Sequence, residues 1–187
     1  MALQLKVPAV DLLPDYAAAL KRGWSPDNVR GPAAADEELE RIALDPGGFV
    51  ASLDDREAQG LPIKLPDGTF AKRLPGFRRW MWDHGFCGSI GFRWLKVGSA
   101  ELPPHALGHI GYAVVPWRRG RGYAAQGLQL LLPEARALGL PWVEITTSPD
   151  NIASQKVVLA AGGRLVETFR KLDAYGGAET QRWRIDL

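Results

Sequence analysis

The chain of 187 residues is predicted to form one α/β domain with a mixed sheet. Residues 109–115 are nearly all apolar, as in a strand buried on both faces. Apolar side chains then recur at three- and four-residue spacing through 123–138, which predicts a helix, and 142–147 again has a strand pattern. A strand, a helix and a strand in this order predict a right-handed crossover and a parallel strand pair.

A hairpin that precedes this unit supplies antiparallel strands and makes the sheet mixed. Residues 78–95 are predicted to form two strands joined by a tight turn at Asp83, His84 and Gly85. Period-two alternation then puts five residues of the second strand on one apolar face: Phe86, Gly88, Ile90, Phe92 and Trp94.

The N-terminal third is predicted to contain a strand at 3–7 and two helices, at 11–21 and 36–44. The turn-rich sequence RGWSPDN, which includes Trp24, separates the helices, and DPGG ends the second one. Residues 45–76 are rich in proline and glycine, and their weak hydrophobic pattern predicts no element.

The C-terminal part is predicted to contain one more helix and two strands. Pro133 is expected to kink the long helix before it, because proline removes a backbone donor. The sequence SPDN opens the next helix, with Ser148 or Asp150 as its N-cap. Strands at 164–169 and 181–187 close the chain.

Charge and composition exclude several classes of protein. Lys and Arg total 23 against 21 for Asp and Glu, so the surface as a whole is not that of a nucleic-acid binder. Cys87 is the only cysteine, which excludes an intrachain disulfide and a metal site built on thiolates. No apolar run is long enough to cross a membrane, and the N-terminus lacks the pattern of a signal peptide. We therefore expect a cytoplasmic protein that binds no metal, nucleic acid or membrane.

Three arginines and two glycines lie between the apolar strand at 109–115 and the helix that follows it. The unpaired N–H groups and the dipole at a helix N-terminus favour an anion. Glycines let the anion approach the backbone, and arginines add positive charge. The sequence therefore predicts a phosphate or pyrophosphate site at Arg118, Arg119, Gly120, Arg121 and Gly122.

Two common phosphate-binding loops do not fit this segment. A nucleotide-hydrolase loop requires Gly-Lys-Ser or Gly-Lys-Thr, and the chain contains neither. A dinucleotide-binding fingerprint requires a third glycine at the position of Ala125, and the strand before it lies in the middle of the chain.

The segment 119–124 instead resembles the acetyl-CoA-binding motif of the GNAT acyltransferases, Arg/Gln-x-x-Gly-x-Gly/Ala. The strand before it ends in Val-Val-Pro at 114–116, as the family pattern expects. About thirty residues further on, DNIASQKVVLAAGG resembles the second family motif, in register at Asn151, Ser154 and Gly162. The two motifs and their strands cover residues 108–163.

The resemblance implies a single GNAT-like domain over 1–187, with a mixed, mostly antiparallel sheet, one splayed parallel strand pair and flanking helices. Acetyl-CoA would bind to a core at 108–163, and segments 1–60 and 165–180 would border the acceptor site. The implied activity is transfer of an acetyl group to a primary amine of a small molecule or a peptide, by direct attack in a ternary complex. The resemblance leaves a homodimer open.

The resemblance also assigns the phosphates of CoA to named positions. Arg118 or Arg121 would reach the 3′-phosphate. The pyrophosphate would lie on the backbone amides of Arg119, Gly120, Arg121, Gly122, Tyr123 and Ala124.

The pantetheine arm would lie between the two splayed strands. Val114 and Val115 would pair with it through their backbones, as a neighbouring strand does. Asn151 and Ser154 would bind the arm from the other side, and Lys156 would lie near the nucleotide.

Acetyl transfer needs a neutral amine and a donor that stabilises the thioester oxygen as negative charge develops. The backbone N–H of Val114 or Val115 is the expected donor. His109 lies about where many relatives have a carboxylate, and because a histidine ordinarily titrates near neutrality it is a candidate general base. Glu144 on the adjacent strand is the second candidate. If they are not bases, His109 is a structural histidine in its strand and Glu144 forms an ordinary ion pair.

A proton donor for the leaving thiolate is harder to identify. The family often has a tyrosine seven residues after the motif asparagine, and Val158 stands at that position. Tyr175 is an alternative donor, unless the thiolate leaves unprotonated. A non-catalytic acyl-CoA sensor of the same fold therefore stays open as a second function. A third, nucleic-acid binding through WRRGR, conflicts with the net charge of only +2.

Overall fold

The described residues, 2–65, 67–173 and 176–187 of a computed structural model, form five α-helices and ten β-strands. The helices are α1 (Leu13–Lys21), α2 (Pro32–Leu44), α3 (Pro46–Ala51), α4 (Tyr123–Ala137) and α5 (Ile152–Ala160). The strands are β1 (Gln4–Lys6), β2 (Asp54–Asp55), β3 (Ile63–Lys64), β4 (Phe70–Ala71), β5 (Gly76–Trp82), β6 (Phe86–Arg93), β7 (Ile110–Val114), β8 (Trp142–Thr147), β9 (Arg164–Arg170) and β10 (Glu179–Asp186).

Most strands belong to two antiparallel sheets. The first has the order β1-β5-β6-β7, with β2 also paired to β5, and the second has the order β8-β10-β9. The predicted unit of strand, helix and strand is present as β7, α4 and β8, and it links the sheets. Within the described residues, β7 and β8 form no ladder of their own. The predicted α/β architecture is confirmed, with the sheet divided where these two strands separate.

Each face of the first sheet has its own hydrophobic core. On one face, which we call the α4 face, a cluster that includes Ile90, Leu128 and Val158 lies beneath α4 and α5. On the opposite face, which we call the α1 face, helices α1, α2 and α3 cover a cluster around Tyr16 and Trp80. These two rings are stacked with their centroids 4.7 Å apart.

Phe86 does not lie on the apolar face predicted for it. Trp82 pairs with Phe86 while Met81 pairs with Gly88, so Cys87 is an extra residue in β6. This bulge reverses the alternation of side chains, and Phe86 packs in the α1-face cluster. The larger side chains further along β6 pack on the α4 face as predicted. The assignment of Phe86 was wrong because period-two counting cannot detect a bulge.

The predicted helices are present, but some of them begin or end at other residues than predicted. α2 begins at Pro32 instead of residue 36, since a proline in the first turn is already held in the helical φ range. The DPGG sequence ends α2 and also begins the unpredicted α3, because the Asp45 carboxylate accepts from the Gly48 N–H at 2.8 Å. α4 continues through Pro133. In the part of the chain that the structure describes, no helix is both long and apolar enough to cross a membrane.

Candidate functional site

A cleft lies between β7 and β8, and it is closed at the start of both strands. There the His109 N–H donates to the Glu144 carbonyl at 2.7 Å. The approach is so close that a Cβ atom on Gly108 would lie 3.0 Å from the Glu144 oxygen. From this point toward Val114 the two strands form no ladder, so backbone hydrogen bonds do not close the gap between them.

The side of β7 that faces the cleft has backbone groups that β6 does not use. The Val115 N–H donates to the Cys87 carbonyl at 3.0 Å, and such positions alternate along an antiparallel pair. The N–H and C=O groups of Tyr112 and Val114 therefore point away from β6. Of the two predicted donors, Val114 directs its N–H into the cleft, whereas that of Val115 is already bonded.

Two side chains contact this edge of β7 and confirm where its carbonyls point. Asn28 donates to the Tyr112 carbonyl at 3.3 Å, and Arg119 donates from Nε to the Val114 carbonyl at 3.3 Å. The first contact joins the α1–α2 loop to the cleft, and the second joins the loop before α4 to it. Neither Asn28 nor Tyr112 was identified from the sequence.

The loop before α4 presents uncovered backbone. Gly120 and Gly122 have φ angles of +77° and +73°, which favour glycine. Gly122 is the N-cap of α4 and offers no side chain to the first N–H groups of the helix. A Cβ atom on Gly120 would have no neighbour within 4 Å. This arrangement suits an anion, and the exposed side chains of Arg119 and Arg121 add positive charge beside it.

Arg118 is directed to a different surface. A Cβ atom on Gly85 would lie 3.7 Å from its Nη2, so its guanidinium is close to the β5–β6 turn. There it lines a cleft of about 310 Å³ on the α1 side, together with Asp15, Arg22 and His84. Of the two arginines predicted near the 3′-phosphate, Arg121 is the exposed one beside the glycine loop.

Tyr123 fixes the start of α4 against the same turn. Its hydroxyl donates to the Asp83 carboxylate at 2.6 Å. This bond raises the pKa of the tyrosine and lowers the pKa of Asp83. The side chain of Tyr123 is therefore structural, while its backbone N–H and that of Ala124 belong to the first turn of the helix.

The start of α5 lies across the cleft from β7. Asn151 is its N-cap, in place of the predicted Ser148 or Asp150, and its Oδ1 accepts from the Ser154 N–H at 3.0 Å. The Tyr112 hydroxyl donates to the Ser154 carbonyl at 3.4 Å, which connects β7 to α5. Asn151 and Lys156 are exposed and Ser154 is half-buried.

His109 is buried at the closed end of the cleft, with 1% of its surface exposed. Its Nδ1 accepts from the Glu144 N–H at 3.0 Å, which assigns the ring proton to Nε2. Burial lowers the pKa of His109 to about 4, so the ring is neutral at neutral pH. In this tautomer neither ring nitrogen has a lone pair free to accept a proton from an amine.

Glu144 is held as a carboxylate by two arginines. Arg182 donates to it at 2.9 Å and Arg184 at 2.6 Å. Burial favours the neutral acid, but these bonds prevail and lower the pKa of Glu144. Its side chain lines a cleft of about 530 Å³ between the loop after β6 and the second sheet. A lowered pKa makes this carboxylate a weak base.

Two other residues singled out from the sequence lie in the hydrophobic cores. Val158, on the buried side of α5, packs in the α4-face cluster. Trp24, at 3% exposure, packs edge-on against Tyr16 and Phe86. Tyr175 lies outside the described residues. Among the described residues, no group of three or more His, Cys, Asp and Glu side chains is placed to hold a metal ion.

The chain matches the family model described as the acetyltransferase (GNAT) domain, over residues 22–164. This span contains the cleft, the glycine loop and the start of α5. No curated protein matches the chain at a significant level.

Several solved acetyltransferases share this fold. A microcin self-immunity acetyltransferase, MccE, in complex with acetyl-CoA and AMP, is 12% identical with a TM-score of 0.64, over 99% of this chain and 92% of that chain. RimL, a ribosomal alpha-N-protein acetyltransferase in complex with coenzyme A, is 15% identical with a TM-score of 0.66, over 100% and 95% of the two chains. The Salmonella typhimurium enzyme that modifies the N-terminal serine of a 50S ribosomal subunit protein is 15% identical with a TM-score of 0.65, over 100% and 96%.

Proposed function

The chain belongs to the GNAT acetyltransferase family, and we propose that it transfers the acetyl group of acetyl-CoA to a primary amine by direct attack in a ternary complex. One observation carries this proposal: the open edge of β7 leads directly into the glycine loop at the start of α4. An extended arm on that edge and a phosphate on that loop are parts of one ligand.

In this proposal the two halves of CoA bind to backbone groups. The amides of residues 119–124 hold the pyrophosphate, with Arg121 supplying charge for the 3′-phosphate. The pantetheine arm lies along the edge of β7 and accepts from the free N–H of Tyr112, while the free N–H of Val114 is left for the thioester oxygen. On the other wall, the start of α5 contacts the arm, with contributions from Asn151, Ser154 and Lys156.

In the proposed chemistry, the protein positions the two substrates and supplies one backbone hydrogen-bond donor. Acetyl-CoA supplies the activated acetyl group and a thiolate leaving group. The Val114 N–H donates to the thioester oxygen as negative charge develops there. General-base roles for His109 and Glu144 stay predictions. Because the His109 lone pair is already bonded to the Glu144 N–H and the Glu144 carboxylate is ion-paired, we propose that the amine loses its proton to solvent before it attacks.

The acceptor is proposed to approach from the α1 face. The contact between Asn28 and the Tyr112 carbonyl places the α1–α2 loop beside the cleft, which supports the prediction that segment 1–60 borders the acceptor. RimL is an alpha-N-protein acetyltransferase, and MccE was solved with acetyl-CoA and AMP, so solved enzymes of this fold include one that acts on a protein amine and one that binds a nucleotide in addition to acetyl-CoA. A primary amine of a small molecule or a peptide is the class we propose.

A second candidate function is acyl-CoA binding without catalysis. Two observations favour it: His109 has no free lone pair, and Val158 occupies the position of the tyrosine found in many relatives.

Release of free thiol from acetyl-CoA separates the two functions. The protein is incubated with acetyl-CoA and a panel of primary amines, each with its N-acetylated product as a control. We expect amine-dependent thiol release with matching N-acetyl product. Tight acetyl-CoA binding without release for any amine would identify a binding protein instead.

A further inference from the structure

Three charged side chains line the cleft beside the β5–β6 turn without an ionic partner. Asp15 of α1 and Arg22 at the end of α1 lie on one side, and Arg118 extends from a single turn at Pro116–Arg118. Within the part of the chain that the structure describes, none of the three forms an ion pair. The cleft, of about 310 Å³, therefore presents charges of both signs to one space.

Asp15 and Arg118 face each other across Gly85. A Cβ atom on Gly85 would lie 3.4 Å from Oδ2 of Asp15 and 3.7 Å from Nη2 of Arg118. The sum of these two distances limits the separation of the charged atoms to about 7 Å. Gly85 has a φ angle of +132°, which favours glycine, so it adds no side chain between the carboxylate and the guanidinium.

An aromatic ring holds Arg22 in the same cleft. The Cζ atom of Arg22 lies 3.7 Å from the centroid of the Trp117 ring. Stacking of this kind fixes the plane of a guanidinium and leaves the N–H groups at its edge free to bind an acidic group. The contact also anchors Arg22 to the turn that carries Arg118, so both guanidiniums are positioned before a ligand arrives.

The charges of the lining define a complementary ligand. Two guanidiniums bind two acidic groups, and one carboxylate binds one ammonium group. His84, which is exposed, adds a ring that can donate or accept a hydrogen bond. A molecule with two carboxylates and one ammonium group is an acidic α-amino acid. The volume of the cleft is at the small end of the range for ligand pockets, as expected for a ligand of that size.

The charged cleft lies on the β6 side of β7, whereas the acetyl-CoA cleft lies on the β8 side. The Val115 N–H donates to the Cys87 carbonyl, and the residues just before Cys87, Gly85 and Phe86, line the charged cleft. A carboxylate also favours the charged form of an ammonium group beside it, so an amine bound at Asp15 is not a nucleophile. The cleft is therefore suited to holding a ligand and not to acetyl transfer.

We propose that the cleft lined by Asp15, Arg22 and Arg118 binds an acidic α-amino acid, at a site separate from the acetyl-CoA cleft. Asp15 accepts from the ammonium group, and Arg118 donates to the α-carboxylate across Gly85. These two groups of an amino acid are attached to one carbon, which suits the short span between Asp15 and Arg118. Arg22 donates to the side-chain carboxylate. Binding at this site does not depend on the proposed acetyl transfer.

Calorimetric titration with three ligands of similar size tests each contact separately. L-glutamate has all three charged groups, L-glutamine lacks the second carboxylate, and glutarate lacks the ammonium group. Each is titrated into the wild type, Asp15→Asn and Arg22→Gln. Asp11→Asn and Arg136→Gln are the matched controls, since both residues are exposed and lie outside the cleft. Circular dichroism checks that every variant is folded.

We expect the wild type to bind L-glutamate at least about tenfold more tightly than L-glutamine or glutarate, because each of these loses one charge-assisted contact. Asp15→Asn should bind L-glutamate and glutarate with similar affinity, since it lacks the group that distinguishes them. For the same reason Arg22→Gln should bind L-glutamate and L-glutamine with similar affinity. Both controls should match the wild type, and saturating acetyl-CoA should not displace L-glutamate.

Four results would overturn the inference. The first is no binding of L-glutamate to the wild type at about 10 mM, or equal affinity for the three ligands. The second is a wild-type ligand preference in either Asp15→Asn or Arg22→Gln, or an equal loss in the control variants. The third is competition between L-glutamate and acetyl-CoA, which would place both in one cleft. The fourth is acetylation of L-glutamate that Asp15→Asn abolishes, which would make the cleft an acceptor site.

Discussion

The neutral ring of His109 accepts a hydrogen bond from the Glu144 N–H and so joins the two sheets. Because this bond requires the neutral ring, the stability of the folded protein depends on pH. Its pKa is about 4 in the folded protein against an ordinary value of 6.5. Below pH 6.5 the unfolded chain binds the proton first, so stability is complete above that pH and falls as the pH drops toward 4. Below pH 4 the loss in the free energy of unfolding reaches about 3 kcal/mol. Urea unfolding of the wild type and of His109→Gln at pH 7 and pH 4.5 measures it.

The substitution His109→Gln keeps an acceptor for the Glu144 N–H and removes the titration. We expect the variant to lose this part of the pH dependence and to keep kcat/KM within about tenfold of the wild type. A fall of roughly 10²–10⁴ with loss of the acidic limb of the rate profile would instead make His109 the general base.

The carboxylate of Glu38 neutralises the charge of Arg78, which is largely buried. Its carboxylate accepts from Tyr16 and from Arg78, and it joins α2 to α1 and β5. We expect Glu38→Ala to lower the free energy of unfolding by about 3 kcal/mol, because Arg78 would lose its partner. Glu37→Ala is the matched control, since the pair of Glu37 with Arg30 is exposed and should contribute less than about 1 kcal/mol. Equal effects of the two substitutions in chemical denaturation would show that the buried contact is not important.

At the scale of elements, the start of α5 is proposed to have two roles. Asn151 caps the helix through its Oδ1, and the residue is exposed. Asn151→Ala should lower stability by about 1 kcal/mol and also weaken acetyl-CoA binding. Asn151→Asp retains the cap but replaces the amide N–H donor offered to the pantetheine arm by a carboxylate, so it should restore stability without restoring affinity. Thermal unfolding and calorimetry separate the two effects, and full affinity in Asn151→Asp would limit this residue to capping.

Elements with strong periodicity were predictable, and irregular ones were not. Residues 123–138 repeat an apolar pattern over four turns, so α4 was located within one residue at its end. α3 was missed because its six residues contain two glycines, and a single capping contact from Asp45 establishes its start. The bulge at Cys87 was missed because pairing with β5 creates it.

At the scale of the whole molecule, the sequence indicates the proposed donor side of the site more directly than the proposed acceptor side. The glycine loop and the start of α5 are local sequence motifs, and the crossover β7–α4–β8 brings them to one cleft. The acceptor side depends on contacts between distant residues, such as Asn28 with Tyr112, which are 84 positions apart. No local pattern indicates such a pair. The sequence pattern places His109 at the start of the strand that forms β7. Its burial and its bond to Glu144 arise only when the two sheets meet.

The central claim is that acetyl-CoA binds with its pyrophosphate on the glycine loop before α4. Calorimetric titration of acetyl-CoA into Gly120→Val and Gly98→Val tests it most directly. The two glycines have φ angles of +77° and +76°, and a Cβ atom on either meets nothing within 4 Å, so the strain of the substitution is the same. Only Gly120 lies in the loop. Gly98→Val should bind acetyl-CoA like the wild type, and Gly120→Val should bind at least about tenfold more weakly, a loss of roughly 1.4 kcal/mol. Equal affinity in the two variants would contradict the account.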